Sequence, residues 1–128
     1  MASRPKPTLN GKLGPELGEC DSRVRAALRL FVGTAGRLPV EEVARVVNLS
    51  ESRLRHLIRE EIGIPVRHYV KKVRLSRARE LVEGTFLSVK EITSVLGCTD
   101  ISHFLRDYKT VFGETPSQTR RRISRLGQ

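Results

Sequence analysis

Val40-Glu41-Glu42-Val43-Ala44-Arg45-Val46-Val47-Asn48 and Val89-Lys90-Glu91-Ile92-Thr93-Ser94-Val95-Leu96-Gly97 carry one pattern at two places in the chain. Apolar residues recur at helical spacing in both. Each stretch ends on a residue, Asn or Gly, that enters the left-handed region and stops a helix. After a one-residue slip in the turn that follows, Leu54, Ile58 and Gly63 line up with Phe104, Tyr108 and Gly113. Each copy reads as a short helix, a tight turn and a longer amphipathic helix, which is the shape of a helix-turn-helix. Helices of a generic bundle would not repeat caps, turns and apolar positions together.

Outward from the repeat, helical signals continue and no strand ladder interrupts them. Asp21 is an N-cap for a helix over about 22–32, with Val24, Ala27, Leu28 and Phe31 on one face. Gly33 to Gly36 is a loop, and Pro39 suits the first position of the next helix, whose inward residues are Val40, Val43, Ala44 and Val47. Ser50 caps a helix over 51–62 that Gly63 ends, and Pro65 opens a long helix that Gly84 stops. Ser88-Val89-Lys90-Glu91 is a capping box, Asp100 caps a helix over 101–112, and Thr115-Pro116-Ser117-Gln118 is a second box with Pro at the first helical position. The expected fold is all-α: seven helices forming two helix-turn-helix subdomains, 21–64 and 85–128, joined by a long linker helix, 65–84. Residues 1–20 hold three prolines and three glycines without apolar periodicity and are expected to form a mobile tail.

A chain of 128 residues is too short for a barrel enzyme or a doubly wound sheet with a cofactor domain. Its charge is lopsided. Net charge is +10, divided as +3 over residues 1–64 and +7 over 65–128, and Arg supplies 18 of the 24 cations. Arg suits phosphate forks and base edges, so a polyanion is the first partner to consider. Two cysteines, Cys20 and Cys98, are too few for a disulfide scaffold or a four-Cys zinc site, and a reducing compartment is the default. No apolar stretch has the length of a signal peptide or a membrane span, and the expected location is the cytoplasm.

The second helix of each pair carries the candidate site. In the helix over 51–62, Leu54, Leu57, Ile58 and Ile62 face inward, while Ser52, Arg55, His56 and Arg59 form the opposite stripe. Such a stripe suits a major groove: Arg forks onto guanine O6 and N7, and Ser and His reach bases or phosphates. In the helix over 101–112, periodicity puts Ile101, Phe104, Tyr108 and Phe112 inward and Ser102, His103, Arg106 and Lys109 outward. Leu105 stands where the first copy has Arg55. Contact with a thymine methyl and partial burial against a neighbouring helix are both open to it. Arg59, Lys109, Arg120 and Arg121 are phosphate-contact candidates, the last two within the run Arg120-Arg121-Arg122. The linker helix, about 28 Å long at 1.5 Å per residue, suits two readers entering successive major grooves about 34 Å apart. Its outer side carries Arg67, Lys71, Lys72 and Arg74, with Arg77 and Arg79 placed to pair with Glu80 or Glu83.

These residues resemble the DNA-binding domain of the AraC/XylS transcription regulators. The resemblance covers about 22–123. It is most specific over Gly97-Cys98, Asp100, Ser102-His103-Phe104, Arg106, Lys109, Phe112-Gly113, Thr115-Pro116-Ser117 and Arg120-Arg121, with Ser50, Leu54, Gly63, Pro65, Tyr69, Arg74, Ala78 and Leu81 also matching. It implies a bacterial transcription factor whose DNA-facing residues are Ser52, Arg55 and His56 in the first unit and Ile101, Ser102, His103 and Arg106 in the second. Three positions depart from the family pattern: Cys98 and Tyr108 where Phe is usual, and Thr119 where an aromatic is usual. They predict a more loosely packed second unit. Many members carry a further ligand-binding or dimerisation domain, and none is expected within 128 residues. The expectation is a stand-alone regulator controlled by abundance, or a piece of a longer protein.

Three function classes compete. The first is sequence-specific binding of double-stranded DNA as a monomer, regulating transcription, with RNA polymerase a candidate second partner and the cytoplasm, at the bacterial nucleoid, as location. The second is a protein-binding module of the same fold that acts on RNA polymerase or another regulator with only non-specific DNA affinity. The third is an enzyme using Cys98 or Cys20. The scattered His56, His68 and His103 make no acid-base or metal constellation, so neither a catalytic residue, a metal nor a cofactor is expected.

Overall fold

A computed structural model describes residues 21–126 and shows seven α-helices: α1 (Ser22–Gly33), α2 (Val40–Val46), α3 (Glu51–Ile62), α4 (Val66–Gly84), α5 (Val89–Val95), α6 (Ile101–Phe112) and α7 (Pro116–Leu126). Among the described residues there is no strand. The expected tail, 1–20, lies outside them.

The local signals that define the helices hold in detail. The Asp21, Ser50 and Asp100 side chains each accept a backbone N–H of the helix they open, from Arg23, Arg53 and His103. Ser88 and Glu91 form a reciprocal box. Gln118 N–H donates to Thr115 Oγ1 at 3.1 Å while Thr115 N–H donates to Gln118 Oε1 at 2.8 Å. Pro39 occupies the N-cap with extended backbone, and helix α2 proper starts one residue later, at Val40.

The repeat is structural as well as sequential. Asn48 and Gly97 both turn left-handed, with φ of 60° and 74°. Asn tolerates that region better than other residues with a Cβ. The next residue then donates back into the helix in the same way in each copy: Leu49 N–H to Ala44 O at 2.9 Å, Cys98 N–H to Thr93 O at 2.8 Å. The longer helices end alike, at Gly63 and Gly113, with φ of 82° and 77°.

The chain divides into two compact units within α4, between Val73 and Arg74. In the first, α1 packs on α2 and α3, and α2 packs on α3. Their core is Val24, Ala27, Leu28, Phe31, Val43, Ala44, Leu54, Ile58 and Ile62, closed by Val66, Tyr69 and Val73 from the start of α4. Phe31 meets Tyr69 edge-on, with ring centroids 6.4 Å apart. Burial pushes the Tyr69 hydroxyl up to about 12. In the second unit α6 packs on α5 and α7. Leu75, Ala78 and Val82 of α4 are buried there, as are Ile92, Leu96, Phe104 and Tyr108. The linker helix is therefore shared: each half contributes apolar side chains to one unit.

The expected looseness of the second unit does not appear at two of the three unusual positions, because they meet each other. Tyr108 and Thr119 are fully buried, and their hydroxyls lie 2.9 Å apart. Thr119 Oγ1 in turn donates to Glu114 Oε2, which also accepts from Arg122 at 2.9 Å. Arg122 first, then Thr119, holds the Glu114 carboxyl down at about 2. A Phe–aromatic pair is replaced by a Tyr–Thr pair whose added hydroxyl has a partner. Thr119→Val strands the Tyr108 hydroxyl in the core and is expected to cost about 1–2 kcal/mol in urea denaturation. The double variant Tyr108→Phe/Thr119→Val should recover most of that loss. Simple addition of the two single losses would show that the hydroxyl pair has no such role.

Candidate nucleic-acid interface

Helix α3 buries Leu54, Ile58 and Ile62 and leaves Ser52, Arg53, Arg55, His56 and Arg59 exposed. Leu57 is half-buried against the core. The stripe read from periodicity is intact, and Arg53 extends it. Two of its members are held by carboxylates one turn away. Arg55 Nε donates to Glu51 Oε2 at 2.9 Å, and His56 Nε2 lies 2.5 Å from Glu60 Oε1. Exposed pairs at this spacing contribute only about 0.3–0.5 kcal/mol, so they bias the rotamers of the two side chains without withholding them from a stronger anion.

Helix α6 buries Phe104 and Tyr108 and exposes Ser102, His103, Arg106 and Lys109. His103 Nε2 lies 3.6 Å from Asp107 Oδ2. Ile101 does not face inward as periodicity suggested. It is 37% exposed, because the buried face of α6 begins only at Phe104 and the first turn projects past it. Leu105 is half-buried, and Phe112 is covered by the Arg79 guanidinium, 4.7 Å from its ring centroid. Arg77 and Arg79 pair with Glu80 and Glu83, each at 3.0 Å.

The phosphate candidates separate. Arg59, Lys109 and Arg121 are exposed. Arg120 is half-buried, and two of its donors are engaged within the protein. Its Nε donates to Val82 O at 3.0 Å and its Nη2 to Thr85 O at 3.1 Å, so it ties α7 to the carbonyl end of α4. Pro116, Thr119, Arg120 and Ile123 fall at i, i+3, i+4 and i+7, the inward stripe of α7, and that spacing is the sequence signal for its partial burial. Arg120→Met is expected to lower stability by about 1 kcal/mol and to leave the salt dependence of DNA binding unchanged. Arg121→Met should do the reverse, reducing the slope of log affinity against log salt by about 1. Denaturation and binding titrations at several salt concentrations separate the two.

Cys98 sits in the second turn at the place Leu49 takes in the first, half-buried. Burial pushes its thiol up, against a smaller opposing effect of Arg74. Reactive cysteines need the opposite shift. Cys20 lies outside the described residues. Among the described residues no group of three or more His, Cys, Asp or Glu could hold a metal ion, and no helix is long and apolar enough to cross a membrane.

Two tri-helical units, each presenting a basic stripe on the helix after a tight turn, define a helix-turn-helix nucleic-acid-binding class. The helix-turn-helix domain family matches residues 43–122. The chain is 34% identical over 86 residues to the Msm operon regulatory protein of Streptococcus mutans, covering 67% of this chain and 31% of that protein. It is 32% identical over 114 residues to the arabinose operon regulatory protein of Escherichia coli, covering 88% of this chain and 38% of that one. The chain thus spans only about a third of the length of these curated relatives. Among solved structures it is similar to an AraC-type transcriptional regulator from Chromobacterium violaceum, with a TM-score of 0.73 and 26% identity over 80% of this chain and 92% of that one. It is also similar to the C-terminal domain of AraT, a response regulator from Geobacillus stearothermophilus, with a TM-score of 0.72 and 30% identity over 81% and 88%. The chain belongs to the AraC/XylS family and corresponds to its helix-turn-helix DNA-binding domain.

Proposed function

We propose that the protein regulates transcription by binding double-stranded DNA at specific sequences, as a monomer and without catalysis, with α3 and α6 each entering a major groove. Ser52, Arg55 and His56 read one half-site, and Ile101, Ser102, His103 and Arg106 read the other. Arg59, Lys109 and Arg121 contact phosphates. The observation that carries this reading is the matched pair of exposed stripes on helices whose opposite faces are buried. The net charge of +10 supports a large phosphate contribution to affinity and a steep salt dependence. The relatives are named as operon regulators, which supports the regulatory half of the reading. RNA polymerase is the second partner and the bacterial cytoplasm the location in this reading.

The test is selection of bound duplexes from a random pool at near-physiological salt. Two enriched motifs about one helical turn apart are expected. No enrichment, with binding that vanishes as salt rises, would overturn the reading in favour of a protein-binding module.

A further inference from the structure

The two recognition helices differ in character at one matched i, i+4 pair that starts in the first turn. Offset by the repeat, Glu51 corresponds to Ile101 and Arg55 to Leu105. Each pair is spaced i, i+4 and lies on one helix face. In α3 the pair is ionic, with Arg55 Nε donating to Glu51 Oε2 at 2.9 Å. In α6 it is wholly apolar. Leu105 is half-buried, and Ile101 stands 37% exposed in the first turn, the part of a recognition helix that reaches base edges. An exposed Ile there has no hydrogen bond to give. Pressed against guanine, adenine or cytosine it would leave buried donors or acceptors unpaired. Only thymine offers the major groove an apolar group, its 5-methyl.

We infer that Ile101 is a specificity-determining residue that reads a thymine methyl, backed by Leu105, so that the second unit selects thymine by shape where the first selects polar base edges through Arg55. This rests on the proposal that α6 enters a major groove. Because the contact is neutral, its discrimination is insensitive to salt, unlike the phosphate contacts that set overall affinity.

Deoxyuridine lacks only the 5-methyl group and isolates the contact. The test uses the full chain and a duplex obtained by selection, in which the half-site whose preference Arg106→Ala relaxes is assigned to α6. Each thymine of that half-site is replaced in turn by uracil. At one position uracil should weaken binding about fourfold, the loss expected for one buried methyl, by the same factor at low and high salt. Ile101→Ala should bind thymine and uracil duplexes equally, and Ile101→Val should keep part of the discrimination. Ile101 is 37% exposed, so thermal melts of both variants should show at most a small loss and full folding at the binding temperature, and the thymine-to-uracil ratio, read within each folded variant, separates a reading role from a folding defect. A half-site without thymine, indifference to uracil at every position, or uracil sensitivity that survives Ile101→Ala would overturn the inference and leave groove binding standing. Failure to select any sequence would overturn groove reading itself, and the inference with it.

Discussion

Phe31→Ala is expected to lower the stability of the first unit by about 3–5 kcal/mol, the range for truncating a fully buried aromatic. Phe31 is completely buried among residues of α1, α2, α3 and the start of α4, and it meets Tyr69 edge-on. Removing the ring empties the centre of a small core and also forfeits the aromatic pair, worth about 0.5–1.5 kcal/mol beyond area alone. A small domain has about 5–15 kcal/mol in total, so the unit is left near its folding limit. Function follows stability here because α3 has no independent support. Its Leu54, Ile58 and Ile62 are part of the same core, and the stripe of Ser52, Arg55 and His56 keeps its direction only while they are packed. Val32→Ala, one residue along and on the exposed side of α1, should change stability by less than about 0.5 kcal/mol. Urea denaturation followed by circular dichroism measures both. Equal midpoints for the two variants would refute the central role given to Phe31.

What the chain makes legible is whatever local chemistry decides. The caps at Asp21, Ser50, Ser88 and Asp100 depend on a side chain and a backbone amide within a few residues of each other, so sequence alone specifies them. The same holds for the left-handed turns at Asn48 and Gly97 and for the buried stripes of α3 and α6. What the sequence does not show is tertiary. Ile101 fits the inward period of α6, but the packing partners of that face start one turn later. Its counterpart Glu51, a residue unsuited to a core, held the missing information. Arg120 reads as one member of a basic run, and its carbonyl partners lie 35 and 38 residues earlier in the chain, beyond the reach of any local pattern. Tyr108 and Thr119 looked like two separate departures from a family pattern. They compensate each other across α6 and α7, which no reading of one helix reveals. The linker helix is legible in the sequence as an element. That Val73 and Leu75 belong to different cores depends on packing at each end and not on the helix itself.

Arg55→Ala is expected to weaken binding to a selected operator by about 1–3 kcal/mol, or five- to 150-fold, and to relax preference at one base position of one half-site. Two effects contribute and can be separated. The first is loss of the guanidinium fork. The second comes from Glu51. In the parent protein its carboxylate is paired with Arg55 at 2.9 Å, and in the variant it is left unpaired beside a polyanion. Glu51→Gln/Arg55→Ala should therefore bind more tightly than Arg55→Ala while remaining equally unselective, because the repulsion is removed and the fork is not restored. Glu51→Gln alone removes only a competitor worth about 0.3–0.5 kcal/mol. It should raise affinity for all sequences slightly and narrow the gap between specific and non-specific duplexes. Arg59→Ala provides the contrast, because taking away a phosphate-binding cation near the end of α3 weakens every duplex alike. Binding titrations with the operator, single-base variants and a random duplex distinguish these cases. If Arg55→Ala lowers affinity uniformly, with base preference intact, Arg55 contacts the backbone, and sequence selection by α3 then passes to Ser52 and His56.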